Sequence, residues 1–142
     1  MAIGTVTPRK TGATAVLSRL GHPLVTSATG GEITVVTRPS EAGFSPLDLI
    51  YASLAACLVL STRIAASEQG VLDRLHNVEA RVKGSKASGG ASRIERFHIE
   101  MLVYADLDEA AKDAIVAAAE RICTISNTLH GGASVEIRRT AN

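Results

Sequence analysis

The period of hydrophobic and polar positions changes several times along this chain, and each change marks an element. Residues 13–17 and 22–26 are short β-tolerant runs after a turn at Lys10-Thr11-Gly12. A second turn at Gly30-Gly31 precedes residues 32–37, which have strand composition, and residues 38–44, with Pro39 and Gly43, form a loop. Ser45-Pro46-Leu47-Asp48 is a helix start: Ser45 as N-cap, Pro46 at the first helical position, Asp48 at the third, where a carboxylate reaches back. Every residue from 49 to 62 is then apolar or small. That run is too short to span a bilayer and predicts a helix reaching Gln69, stopped by Gly70 and buried on most sides.

Alternation returns with Val78, Ala80 and Val82, predicting a strand over 77–83. A loose connection over 86–92, containing Gly89-Gly90, leads to a strand over 94–104 with Phe97, Ile99, Met101 and Val103 on one face. Asp106 and Glu109 bracket a second capping box, opening a helix that carries Ala111, Ile115, Ala118 and Ile122 on one stripe. Cys123 stands where that helix ends. A short helical piece over 126–129 precedes Gly131-Gly132, and a final strand is expected over 134–139. Runs of strands between helices argue for an α+β fold with antiparallel sheets. At 142 residues the chain is expected to be a single domain. A long helix apolar all round is hard to cover at this size, so a second subunit is expected to cover it.

Composition narrows the function classes. Hydrophobic residues make up 46% and aromatics 3%, so the core is aliphatic. With no tryptophan, only Phe44, Phe97, Tyr51 and Tyr104 to stack, and a formal net charge of +1, a nucleic-acid platform is not expected. Residues 1–10 lack the apolar region of a secretory leader, which points to the cytoplasm and away from a membrane. In that reducing setting a bond between the chain's two cysteines, Cys57 and Cys123, would be transient and catalytic. His22, His76, His98 and His130 show no metal-ligand spacing. His22 is the one to test as a Cys–His partner. Read without context, Cys57 is a small hydrophobe in mid-helix, with Ser53, Leu54, Leu60, Ser61 and Ile64 as helical neighbours. Far from the helix N-terminus, its thiolate would need a cation from another segment.

The context adds more. Ser45-Pro46-Leu47-Asp48-Leu49-Ile50-Tyr51-Ala52-Ser53-Leu54-Ala55-Ala56-Cys57 resembles the segment ending in the first cysteine of the OsmC/Ohr family, that is, osmotically induced protein C and organic hydroperoxide resistance protein. Ile122-Cys123-Thr124-Ile125-Ser126-Asn127-Thr128-Leu129 resembles the segment around its second cysteine, and Gly21-His22-Pro23-Leu24 is similar to a weaker motif. The order of elements is similar across essentially all of residues 1–142. The resemblance implies one OsmC-like domain in an intertwined homodimer, with long helices at the centre and strands from both chains outside. It also implies a thiol-dependent peroxidase. Cys57 attacks an organic hydroperoxide and becomes a sulfenic acid, Cys123 resolves it as a disulfide, and a dithiol such as a lipoyl group reduces the pair, with no metal or other cofactor. An arginine would hold the thiolate: Arg9, in the stretch matching the family's N-terminal hairpin turn, or else Arg38. The family's active members carry Glu ten residues before the first cysteine; here Leu47 stands there. The nearest acid is Asp48, nine before Cys57 and so on roughly the opposite helix face. Asp48 is therefore open to two readings, helix cap or site residue. The rival functional expectation is a non-catalytic dimer of the same fold holding a small apolar ligand near Cys57.

Overall fold

In the computed structural model, which describes residues 8–141, the N-terminal runs become a three-stranded antiparallel sheet of β1 (Ala13–Val16), β2 (Leu24–Ser27) and β3 (Glu32–Thr34). Residues 1–7, which enter the expectation about a leader, lie outside the described residues. Val16 faces Leu24 across β1–β2, and Val25 faces Ile33 across β2–β3. The turn between β2 and β3 closes through the Ser27 hydroxyl, which accepts from the Gly31 N–H at 2.9 Å. β3 stops short of the expected residue 37 because the backbone changes partner: Val35 bridges Phe44 and the Val36 N–H donates to the Phe44 carbonyl at 3.0 Å. The described chain divides into two compact units, the first ending at Leu49 and the second beginning at Ile50.

Helix α1 (Pro46–Glu68) starts where the sequence places it. The Ser45 N–H donates to Asp48 Oδ2 at 2.9 Å, and the Asp48 N–H donates to Ser45 Oγ at 3.2 Å, a reciprocal cap. Its C-terminus closes with a Schellman pair, Gly70 N–H to Ser67 carbonyl and Val71 N–H to Ala66 carbonyl, for which Gly70 adopts φ +70°. The helix buries Leu54, Leu58, Ser61, Thr62, Ala65 and Ala66, whereas Leu60 and Ile64 on another face are each 49% exposed. Burial within the chain is thus confined to one face, not most of them. By length and composition α1 is capable of crossing a bilayer. Its packed face, which carries polar Ser61 and Thr62, makes it a core helix.

A 3₁₀ turn (Leu72–Arg74) leads into β4 (Leu75–Lys86), paired antiparallel with β5 (Ile94–Ala105). β4 runs beyond both its expected ends and β5 gains Ala105, because the ladder extends from Leu75 opposite Ala105 to Lys86 opposite Ile94. Val78, Ala80 and Val82 face Val103, Met101 and Ile99, so the two period-2 patterns share one face. Gly84 is required by close packing: a Cβ there would meet Tyr51 Oη at 2.5 Å. The Tyr51 ring in turn stands edge-on to Phe97 at a centroid separation of 6.2 Å.

Helix α2 (Glu109–Ile122) is capped by Asp108, whose Oδ1 accepts from the Ala111 N–H at 2.8 Å. This corrects the capping box expected at Asp106: Asp108 has the extended backbone directly before the first turn, and Asp106 instead pairs with His76 at 2.9 Å. Ile115 and Ala119 face inward. Helix α3 (Thr124–Gly131) begins two residues earlier than expected and ends at Gly132, in the left-handed conformation. The final strand expected over 134–139 does not form. Val135 and Ile137 alternate as strand residues do, but no ladder partner meets them among the described residues, and they stand 83% and 92% exposed.

The second unit's core has two centres. Ala65, Ala66 and Ile115 gather Val71, Leu75, Val103 and Leu107, while Leu54, Leu58 and Cys123 gather Ala80, Val82, Phe97, Met101 and Cys57. The latter holds both thiols.

Candidate active site

Cys57 lies at mid-length of α1, beside the buried stripe formed by Leu54, Leu58 and Ser61. Cys123 is the residue between α2 and α3. It ends α2 through its N–H, which donates to the Ala119 carbonyl at 3.0 Å, and it caps α3 through its sulfur, which accepts from the Ser126 N–H at 3.4 Å. Cys123 is fully buried and Cys57 partly exposed; both are free thiols packed in the same cluster. Residues 66 apart in sequence are therefore brought together by the packing of α1 against the α2–α3 junction.

The surroundings treat the two sulfurs oppositely. Burial works against ionisation of Cys57, but it is outweighed by hydrogen bonds from the Cys123 thiol, the Ile125 N–H, the Ser61 hydroxyl and the Thr124 N–H, which together hold Cys57 below the ordinary thiol range. Cys123 is pushed up, first by burial and then by its donation to Cys57. Ionisation is eased at Cys57 and resisted at Cys123, its donor. The free N–H groups of Thr124 and Ile125 belong to the first turn of α3, where the helix carries its positive end. Backbone donors for the mid-helix sulfur of α1 thus come from the N-terminus of a helix in another segment.

The remaining candidates lie in the first unit. Asp48 closes the α1 cap, and the Ser45 N–H, with the Ser45 hydroxyl second, holds its carboxyl below the usual range. Arg9 donates to Thr29 Oγ1 at 2.9 Å, and Arg38 is exposed in the loop before α1. These three belong to the first unit, Cys57 and Cys123 to the second. His22 pairs with Glu41 at 3.2 Å. Sequence reasoning overlooked the α3 N–H groups because it started that helix at Ser126. Ser61 was legible as a helical neighbour of Cys57, but nothing in the sequence set its polarity apart from that of Ser53.

A cleft of about 600 Å³ opens beside this cluster, walled by Leu54, Leu58, Phe97 and Met101 and edged by Arg96 and His130. Ser126 joins cleft and site: its N–H reaches Cys123 and its carbonyl meets His130 Nδ1 at 3.0 Å.

Residues 39–138 match the model of a family described as OsmC-like protein. Among solved structures, an OsmC-like protein from Mycoplasma pneumoniae superposes with a TM-score of 0.76 at 22% identity, covering 89% of this chain and 91% of that one. The organic hydroperoxide resistance protein OhrB of Bacillus subtilis gives 0.63 at 25% identity, over 86% and 91%. An OsmC-like protein of unknown function from Vibrio cholerae gives 0.70 at 14% identity, over 85% and 94%. No curated protein matches the chain.

Proposed function

The chain belongs to the OsmC-like protein family, and from that premise we propose that it is a thiol-dependent peroxidase acting on organic hydroperoxides. The Cys57 thiolate attacks the terminal peroxide oxygen; the O–O bond breaks, the alkoxide takes a proton and leaves as an alcohol, and the sulfur becomes a sulfenic acid. Cys123, next to it in the same cluster, attacks that sulfur and water leaves, closing a Cys57–Cys123 disulfide. An external dithiol of the lipoyl type returns both thiols to the reduced state. The observation that carries the proposal is that both free thiols pack in one cluster, whose surroundings ease ionisation of Cys57 and resist that of Cys123. Reduction by a dithiol suits the cytoplasm. Neither a metal nor another cofactor enters the cycle.

The same proposal takes residues 1–142 as one OsmC-like domain working as a homodimer. The exposed Leu60 and Ile64 on α1 are the face a second copy covers. Arg9 and Arg38 remain candidates for guanidinium support of the thiolate, and Asp48 for its orientation.

One equivalent of an organic hydroperoxide is expected to remove both free thiols. Cys57→Ser should abolish dithiol-dependent consumption, and Cys123→Ser should leave a sulfenic acid that a carbon nucleophile traps. Survival of both thiols in excess hydroperoxide, with the protein folded, overturns the proposal. That outcome would favour a second reading, a dimer that holds a small apolar ligand in the cleft without turnover, which the loss of the family's Glu to Leu47 supports.

A further inference from the structure

We infer that Ser61 is a positioning residue for Cys57, its buried hydroxyl fixing the sulfur as a thiolate where the family's carboxylate is missing. The inference deepens the peroxidase reading and rests on it for its purpose, though not for its test.

Three observations carry it. Ser61 lies four residues after Cys57, so the two side chains stand one above the other on the same face of α1. Ser61 is only 5% exposed, and a hydroxyl buried to that extent requires a partner. Other hydroxyls on α1 turn back onto the helix: Thr62 donates to the Leu58 carbonyl and Ser53 to the Ile50 carbonyl, each at 2.8 Å. The cluster beside Ser61 offers instead the sulfur one turn back. A donor in this position is pre-oriented by the helix and loses nothing when the thiolate forms.

The rest of the environment leaves room for one hydroxyl to matter. β4 turns Ala80 and Val82 toward the thiol cluster, β5 turns Phe97 and Met101, and α3 turns Ile125, none of which titrates. Cys123 is the titratable group packed there. Glu95 and Arg96 of β5, Glu120 of α2 and His130 of α3 stand along the adjoining cleft. Asp48 is fixed in the Ser45 cap. The negative sulfur is therefore held by donors, Ser61 on its own helix and the first turn of α3 opposite, each acting through the sulfur and not on the substrate.

The test is the pH dependence of Cys57 alkylation by iodoacetamide in the full-length protein, with the modified cysteine located by peptide mass spectrometry. Ser61→Ala, which adds helix propensity, is expected to retain far-ultraviolet circular dichroism and to move the Cys57 profile to higher pH. Below the wild-type midpoint, alkylation should slow roughly ten- to a hundredfold, the size of a lost hydrogen bond to a charged group. Ser61→Thr keeps the hydroxyl and is expected to stay near the wild-type profile. An unmoved Ser61→Ala profile overturns the inference. So does a Ser61→Thr profile displaced as far as that of Ser61→Ala, because shape and not the hydroxyl would then be responsible. Hydroperoxide consumption is read separately: its absence from the wild-type protein removes the peroxidase reading and leaves the alkylation result intact.

Discussion

At the scale of single residues, the chain separates two acids that proximity in sequence would have grouped. Asp48 and Cys57 share a helix, yet the Asp48 carboxylate answers to Ser45 while the Cys57 sulfur answers to α3. Asp48 is held below its ordinary value, so its contribution to stability is complete above the usual carboxylate range and is lost as pH falls through the lower folded value. Asp48→Ala should therefore lower the thermal midpoint at neutral pH, with the gap to wild type closing in acid. A variant that melts like wild type yet consumes hydroperoxide more slowly would move Asp48 from the cap to the site. The cysteines show why residue type alone says little. Cys123 is as buried as any aliphatic core residue, and its neighbours, not its own character, make it a donor to Cys57.

At the scale of elements, long patterned segments were legible and their ends were not. α1 was readable to its caps because Ser45, Pro46 and Gly70 each have a local mechanism. The β4–β5 pair was readable from alternation, but its full length depended on a ladder that one strand's sequence does not reveal. The last strand differs for the complementary reason: Val135 and Ile137 supply the pattern, and among the described residues no partner supplies the hydrogen bonds. The short α3 suffered most, since Cys123 is an unusual cap and the eye moves on to Ser126. Both cysteines were found from resemblance, while the donors around Cys57 required coordinates. Gly84 was likewise invisible, being dictated by a ring that arrives from α1. Gly84→Ala should push Tyr51 aside and cost about 1–3 kcal/mol in denaturant unfolding, the range for overpacking a filled site. An unchanged midpoint would mean that the ring yields freely.

At the scale of the whole molecule, the unfinished surface of α1 is the informative feature. Leu60 and Ile64 are one turn apart and half exposed on a helix whose other face forms the core. Ile64→Glu should leave the helical circular dichroism intact and halve the sedimenting mass at concentrations where wild type is dimeric. A wild-type chain that sediments as a monomer would refute the proposed dimer outright. The aromatic content of the chain has a practical side. Tyr51 and Tyr104 are the only phenols and there is no indole, so the intrinsic emission is theirs alone. Tyr104 sits toward solvent, whereas the Tyr51 ring leans on Phe97, which touches the sulfur-bearing cluster. The unlabelled protein thus carries its own optical probe within one side chain of the thiols, and oxidation is expected to alter an emission component that Tyr51→Phe removes.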